Sequence, residues 1–158
     1  DTSVIDYLKK LTFLTKEEIE NIEVEHNKQP ELRLAQRTLA KEVITFLHGE
    51  EEFNKAVKIS EALFSGNINS LSIDEIEDAF KDVPNFEAAE LNLIDLLVNN
   101  SIATSKREAR EFISAGSITI NGNKMLDENE LIDKSKAIGN KYLIIRKGKK
   151  KYYMGIYK

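Results

Sequence analysis

The chain has 158 residues, enough for one ordinary domain or two small ones, and its 23 Lys+Arg against 27 Asp+Glu give a net charge of -4. It contains no cysteine, which excludes disulfides, thiolate nucleophiles and cysteine-containing zinc sites and is typical of a reducing cytoplasm. No apolar run approaches the roughly 20 residues that span a membrane and no secretory leader is recognisable, so we expect a cytoplasmic protein with no membrane partner.

Helical periodicity of apolar residues dominates the first half of the chain. Thr15 with Glu18, and Ser72 with Glu75, form capping boxes that each open a helix. Two amphipathic helices lie between those boxes, and we expect their apolar positions to be buried. These positions are Leu32, Ala35, Leu39, Val43, Phe46, Leu47, Phe53, Ala56, Val57, Ile59, Leu63 and Phe64. The pattern predicts an all-α domain over residues 1–82.

The second half mixes helical and strand patterns. Residues 83–91, VPNFEAAEL, break the helical periodicity and are predicted to be a linker. Over residues 92–158, a short apolar helix is followed by a second helix that Ser105 caps. The segment SITIN then alternates like a strand, Asn121-Gly122 is a strong hairpin signal, and KYLIIRKG and KKYYMGIYK indicate two further strands. We therefore predict two helices packed on a small, mainly antiparallel sheet, and an α+β fold for the whole chain.

Positive charge is concentrated in the second half. Residues 91–158 hold 13 Lys+Arg against 7 Asp+Glu, whereas residues 1–90 hold 10 against 20. A basic half of this kind is a candidate for binding a polyanion such as RNA. The cations that we select as candidate RNA-binding residues are Lys106, Arg107, Arg110, Lys124, Lys147, Lys149, Lys150 and Lys151.

The first three of these cations share one exposed face near a helix N-terminus, where unpaired backbone N–H groups favour an anion. The alternative is a solvated charged face that Glu108 and Glu111 balance. Tyr152 and Tyr153, together with Tyr157, interleave with the later lysines, either as stacking surfaces for bases or as ordinary sheet core.

The segment TSKREAREFISAGSITINGNK resembles the RNA-binding module of ribosomal small-subunit protein four, also called the αL motif. The matching positions are Ser105, Lys106, Arg107, Ala109, Arg110, Ile113, Gly116, Ile118, Asn121 and Gly122. The match covers residues 92–125 well and residues 126–158 loosely. That family uses its helix pair and the following strand to hold structured RNA, so the resemblance implies docking through phosphates and shape.

The segment LAQRTLAKEVITFLHGEEEFNKAVKISEALFSG, followed by FKDVP, resembles the helical domain of bacterial tyrosyl-tRNA synthetases, in which it precedes an αL module. The resemblance spans essentially the whole chain. It implies a C-terminal region that docks the anticodon arm, through residues 1–82, and the long variable arm of tyrosine tRNA. Because the chain begins at Asp1 without a methionine, we expect a fragment of a longer enzyme. The family dimerises through its catalytic domain, which implies a homodimeric intact enzyme and a monomeric fragment.

The motifs of a class I synthetase active site, HIGH and KMSKS, do not occur in this sequence. The two histidines, His26 and His48, do not begin a HIGH sequence, and IDKSKA at 132–137 only faintly echoes KMSKS. We therefore expect no catalytic residue, metal or cofactor in this chain, which should be inactive alone. The resemblance implies that ATP and tyrosine bind a catalytic domain that the chain lacks.

A weaker candidate for RNA contact is the stripe of Arg33, Arg37 and Lys41, which lies beside the apolar face of the third predicted helix. The resemblance places this helix near the anticodon stem, where the stripe would contact phosphates; the alternative is a solvated face beside Glu42. Two other functions stay open. One is a stand-alone αL-type RNA-binding protein that acts on ribosomal RNA, and the other is a protein-interaction role for the helical half.

Overall fold

The computed structural model describes residues 3–158 of the chain. The chain divides into two compact units, and the boundary between them falls between Val57 and Lys58. In the part of the chain that is described, no helix is both long enough and apolar enough to cross a membrane.

The first unit consists of helices around a small core. Its elements are α1 (Val4–Leu11), α2 (Lys16–Lys28), a 3-10 turn (Pro30–Leu32), α3 (Leu34–His48) and the start of α4 (Glu50–Ser65). The predicted capping box opens α2, since the Thr15 hydroxyl accepts a hydrogen bond from the Glu18 amide and the Glu18 carboxylate accepts one from the Thr15 amide. Val4, Leu8, Ile19 and Ala35 form the buried cluster.

The predicted apolar face of the third and fourth helices is only partly buried. Phe46 and Leu47 are 68% and 63% exposed, and Phe64 is 94% exposed, so the prediction of burial is wrong for these residues. The buried cluster of the first unit takes only Ala35 and, partly buried, Leu39 from α3, both from the first half of that helix. The last turn of α3 therefore extends beyond this core.

The second unit combines three further helices with two sheets. After the end of α4 come α5 (Ile73–Phe80), β1 (Asn85–Glu87), β2 (Leu91–Asn92), α6 (Leu93–Asn99), α7 (Lys106–Ser114), β3 (Ile118–Ile120), β4 (Asn123–Lys124), β5 (Leu131–Ile132), β6 (Tyr142–Lys147) and β7 (Lys151–Ile156). The main sheet has the strand order β1-β7-β6-β3-β4, and β2 pairs with β5. Only the pairing of β1 with β7 is parallel among these described strands.

Helices cover both faces of the main sheet. Leu143 and Ile145 of β6 belong to the cluster that contains the buried residues of α6 and α7. Ile144, between them, belongs to a second cluster with Ile76 and Phe80 of α5. Since successive residues of a strand face opposite sides, β6 needs apolar residues at every position, and this is why YLII lacks alternation.

The α+β fold class is confirmed, but the units differ in extent from the predicted domains. The sequence placed a boundary at residue 82 and a linker over 83–91, whereas the structure includes α5 in the second unit. The predicted linker contains β1, whose Asn85 is paired with Met154 of β7. The reason is that α5 packs against the sheet, and a helical pattern does not show which surface the helix covers.

Candidate nucleic-acid interface

Helix α7 is fixed by its cap and by its buried side. The Ser105 hydroxyl accepts a hydrogen bond from the Glu108 amide at 3.2 Å. The Glu108 carboxylate accepts hydrogen bonds from the hydroxyl and the amide of Thr104, which lower its pKa below the ordinary value. Ala109 and Ile113 are buried against the sheet. The remaining faces of α7 are therefore turned outward in a defined orientation.

Lys106, Arg107 and Arg110, here called the α7 cations, each have a carboxylate partner. The distances are 2.8 Å from Lys106 Nζ to Asp95 Oδ1, 3.1 Å from Arg107 Nε to Glu111 Oε1, and 3.2 Å from Arg110 Nε to Glu128 Oε2. The hydrogen bond from Lys106 is the main cause that lowers the pKa of Asp95. The three cationic side chains are 54–90% exposed, and ion pairs between side chains this exposed are weak, because water screens the charges. An RNA phosphate can replace such carboxylates.

A second basic surface lies where the β6–β7 hairpin meets the end of α7. We call it the hairpin groove; it is lined by Phe112, Ser117, Lys147, Gly148, Lys149, Lys150 and Lys151 and has a volume of about 390 Å³. Its lining contains no acidic residue. Within residues 3–158, none of Lys149, Lys150 and Lys151 forms an ion pair or a side-chain hydrogen bond. These three lysines therefore have no carboxylate partner within the described part of the chain.

The root of the hairpin is held by two hydrogen bonds. The Gly148 amide donates to the Ser117 carbonyl oxygen at 2.7 Å. Lys147 Nζ donates to the Ile102 carbonyl oxygen at 2.7 Å and lies 4.0 Å from the centroid of the Phe112 ring. Lys147 thus differs from the three lysines that follow Gly148, because its ammonium group is already engaged.

The structure does not bring all the predicted cations onto one surface. Successive residues of an α-helix are about 100° apart, so Phe112 lies about 200° round α7 from Arg110. The α7 cations and the hairpin groove therefore occupy different flanks of the same helix. Lys124 covers the end of α7, since its Nζ lies 2.7 Å from the position that a Cβ on Gly116 would take.

The tyrosines that interleave with the lysines pack on the two faces of the main sheet. The Tyr152 ring packs on Phe80, with 5.5 Å between centroids, on the α5 side of the sheet. Tyr153 packs against the cluster on the opposite face, and Tyr157 is buried there with its hydroxyl donating to the Ile132 carbonyl oxygen at 3.3 Å. Burial raises the pKa of the Tyr157 hydroxyl above its ordinary value. Tyr157 is therefore a core residue, whereas Tyr152 and Tyr153 pack on the sheet and stay partly exposed.

The weaker candidates lie in the first unit. Arg33, Arg37 and Lys41 are exposed, and Arg33 has the left-handed φ of 54° where the 3-10 turn meets α3. His26 lines a polar pocket with Arg33, and His48 is exposed at the end of α3. In the described part of the chain, no group of three or more His, Cys, Asp or Glu side chains is arranged to hold a metal.

Two residues that shape the groove, Phe112 and Ser117, are not among the candidates predicted from the sequence. Phe112 is only partly buried and lines the groove. Ser117 follows the helix stop at Gly116, and its carbonyl oxygen accepts the hydrogen bond from Gly148. A local pattern cannot identify either, because the groove forms only when β3 pairs with β6 and places Ile118 beside Lys147.

Several known proteins are similar to this chain. A tyrosine–tRNA ligase from Listeria welshimeri is 49% identical over 160 residues, which cover 100% of this chain and 38% of that protein. One from Geobacillus stearothermophilus is 49% identical over 156 residues, covering 98% and 37%. A solution structure of a tyrosyl-tRNA synthetase C-terminal domain is 40% identical and covers 58% of this chain and 95% of that one, with a TM-score of 0.49. The chain spans less than two-fifths of the length of the curated relatives.

A family model described as the tyrosine–tRNA ligase SYY-like C-terminal domain matches residues 75–155, which is more than half of the chain. The matched range includes α7 and the β6–β7 hairpin, and therefore both the α7 cations and the hairpin groove. The chain thus belongs to the family of tyrosine–tRNA ligase SYY-like C-terminal domains.

Proposed function

We propose that this chain binds tyrosine tRNA and holds its anticodon arm and long variable arm for aminoacylation by a catalytic domain outside this sequence. The observation that carries the proposal is the hairpin groove, in which three lysines without carboxylate partners stand together. The names of the relatives support tRNA as the polyanion.

Two kinds of contact supply the affinity. Lys149, Lys150 and Lys151 bind phosphates without first breaking an ion pair, so they contribute the larger share. Arg107 and Arg110 exchange an exposed carboxylate for a phosphate, and little free energy is lost in that exchange because such surface pairs are weak. Because the two sets occupy different flanks of α7, they contact different phosphates of a folded RNA, which favours recognition by shape.

The proposal extends to the whole enzyme. ATP and tyrosine bind the catalytic domain, and no cofactor binds this chain. The enzyme works as a homodimer in the cytoplasm through an interface of that catalytic domain, so this chain alone should sediment with the mass of one copy. The alternative of a stand-alone protein acting on ribosomal RNA would require equally tight binding to ribosomal RNA.

The test is a filter-binding series with tyrosine tRNA at increasing salt. If about five cations contact phosphates, the logarithm of the binding constant should fall with the logarithm of salt at a slope of roughly -3.5 to -4.5. Replacing Lys149, Lys150 and Lys151 with glutamine should reduce the steepness by about 2 to 3.

The matched control replaces three exposed lysines of the first unit, Lys9, Lys10 and Lys16, which changes the net charge by the same amount. It should leave the slope close to that of the unaltered chain. A slope near zero for the unaltered chain, or equal losses in the two triple variants, would contradict docking at the hairpin groove.

A further inference from the structure

We propose that Lys147 is a positioning residue, which fastens the β6–β7 hairpin to α7 and does not itself contact RNA. This inference rests on the proposed function, because it assigns separate roles to neighbouring lysines within the same groove. By charge and position alone, Lys147 is predicted to bind phosphates together with its neighbouring lysines.

The ammonium group of Lys147 has two partners within the second unit. It donates a hydrogen bond to the Ile102 carbonyl oxygen at 2.7 Å, and it lies 4.0 Å from the centroid of the Phe112 ring. The negative face of an aromatic ring attracts a cation at this distance. Glu108 lies close enough for the charge of Lys147 to contribute to the lowering of its pKa.

These partners belong to different elements. Ile102 lies in the turn between α6 and α7, Phe112 lies in α7, and Lys147 is the last residue of β6. One side chain therefore connects the root of the hairpin to the helix and to the turn that leads into it. On the same root, the Gly148 amide is bonded to the Ser117 carbonyl oxygen. The two attachments fix the position from which Lys149, Lys150 and Lys151 extend.

Contact with RNA would have a different cost for each lysine. To reach a phosphate, Lys147 must break its hydrogen bond to the Ile102 carbonyl oxygen and leave its position over the Phe112 ring. Lys149 follows Gly148 in the exposed turn and has no such contact to lose. Phosphates should therefore be bound by the turn lysines, while Lys147 keeps its partners.

The experiment compares two variants with the same charge change, Lys147→Met and Lys149→Met, in the filter-binding series with tyrosine tRNA. Lys149→Met should reduce the steepness of the salt dependence by about 0.7 to 0.9, the value for one phosphate. Lys147→Met should weaken binding by up to about tenfold, the equivalent of one hydrogen bond to a charged group, with the slope unchanged. Lys147→Arg should restore binding, since a guanidinium also donates and stacks on a ring.

Amide hydrogen exchange of the free chain gives a readout that does not need RNA. Lys147→Met, and separately Phe112→Leu, should speed exchange at the Gly148 amide and in the 101–104 turn, whereas Lys149→Met should not. If the unaltered chain does not bind tRNA, the proposed function fails, while exchange still decides whether Lys147 fastens the hairpin. The positioning role would be overturned if Lys147→Met reduced the slope of the salt dependence as much as Lys149→Met does. It would also be overturned if Lys147→Met left amide hydrogen exchange unchanged.

Discussion

At the scale of single residues, Gly122 and Gly148 show how one backbone conformation meets two environments. Both have positive φ, 85° and 66°, which a side chain disfavours. A Cβ on Gly148 would meet nothing within 4 Å, whereas a Cβ on Gly122 would lie 2.0 Å from the backbone oxygen of Gly66. Gly148 is therefore required only by its conformation, and Gly122 also by the close approach of another backbone segment.

We expect Gly148→Ala to lower the free energy of unfolding by about 1 to 2 kcal/mol, the cost of a left-handed alanine. Gly122→Ala should cost about 1 to 3 kcal/mol more, because the β3–β4 turn or the end of α4 must move to relieve the clash. Urea denaturation followed by circular dichroism measures both. Equal losses in the two variants would show that the contact with Gly66 does not constrain the turn.

The turn itself was predictable from sequence, because Asn-Gly at a two-residue hairpin needs positive φ at both positions. Asn121 has a φ of 50°, and the flanking pair Ile120–Asn123 closes the hairpin. What the sequence could not show is that the Asn121 side chain is buried. Its oxygen accepts from the Ile144 amide at 2.8 Å, and its nitrogen donates to the Lys136 carbonyl oxygen at 2.7 Å. Those partners depend on tertiary folding.

At the scale of elements, the helix starts were predicted well because capping is a local interaction. The boxes at Thr15 and Ser72 both form, and Ser105 caps α7. At α7 the Glu108 carboxylate reaches Thr104 instead of Ser105, a difference of one residue. The candidate cations could be selected locally as well, but their division between two flanks of α7 depends on how the β6–β7 hairpin packs.

The hydrogen bonds of Glu75 at the start of α5 make the stability of the fold depend on pH. Lys58 Nζ donates to the Glu75 carboxylate at 2.8 Å, the main cause that lowers its pKa below the ordinary 4.5, and the Ser72 amide adds to this. A carboxyl whose pKa is lower in the folded chain than in the unfolded chain stabilises the fold above pH 4.5. That contribution is lost as the pH falls through the folded-state pKa.

The free energy of unfolding, measured by urea denaturation between pH 7 and pH 3, should therefore decrease on acidification. Glu75→Gln should lower stability at neutral pH and show a shallower decrease below pH 4.5, because the group that gains the proton is gone. Glu61→Gln, a change at an exposed glutamate of α4, is the matched control and should keep the slope of the unaltered chain. Parallel curves for all three proteins would contradict the role of Glu75.

At the scale of the whole molecule, the extents of the two units were the part that sequence analysis could not anticipate. Helical periodicity shows that α5 has an apolar face, but the same face fits a helical bundle or a sheet. The pairing of Asn85 with Met154 joins distant parts of the chain, and a three-residue strand leaves little signal in its sequence. The long segments with strong local patterns were recognisable, and the contacts between distant segments were not.

The two units also differ in the size of their cores. In the described part of the first unit, the cluster of buried apolar residues is Val4, Leu8, Ile19 and Ala35. The second unit contains two larger clusters, one on each face of the main sheet. Since hydrophobic burial is the main stabilising contribution, the first unit should be the less stable of the two.

We therefore expect hydrogen exchange at increasing urea to expose peptides of residues 1–57 at a lower concentration than peptides of residues 58–158. Leu8 and Leu143 are both fully buried, one in each unit. Leu8→Ala should shift only the first transition and Leu143→Ala chiefly the second, each by the equivalent of about 2 to 5 kcal/mol. A single transition that both variants shift equally would show instead that the chain unfolds as one cooperative body, in which α4, running across the boundary, transmits stability from one unit to the other.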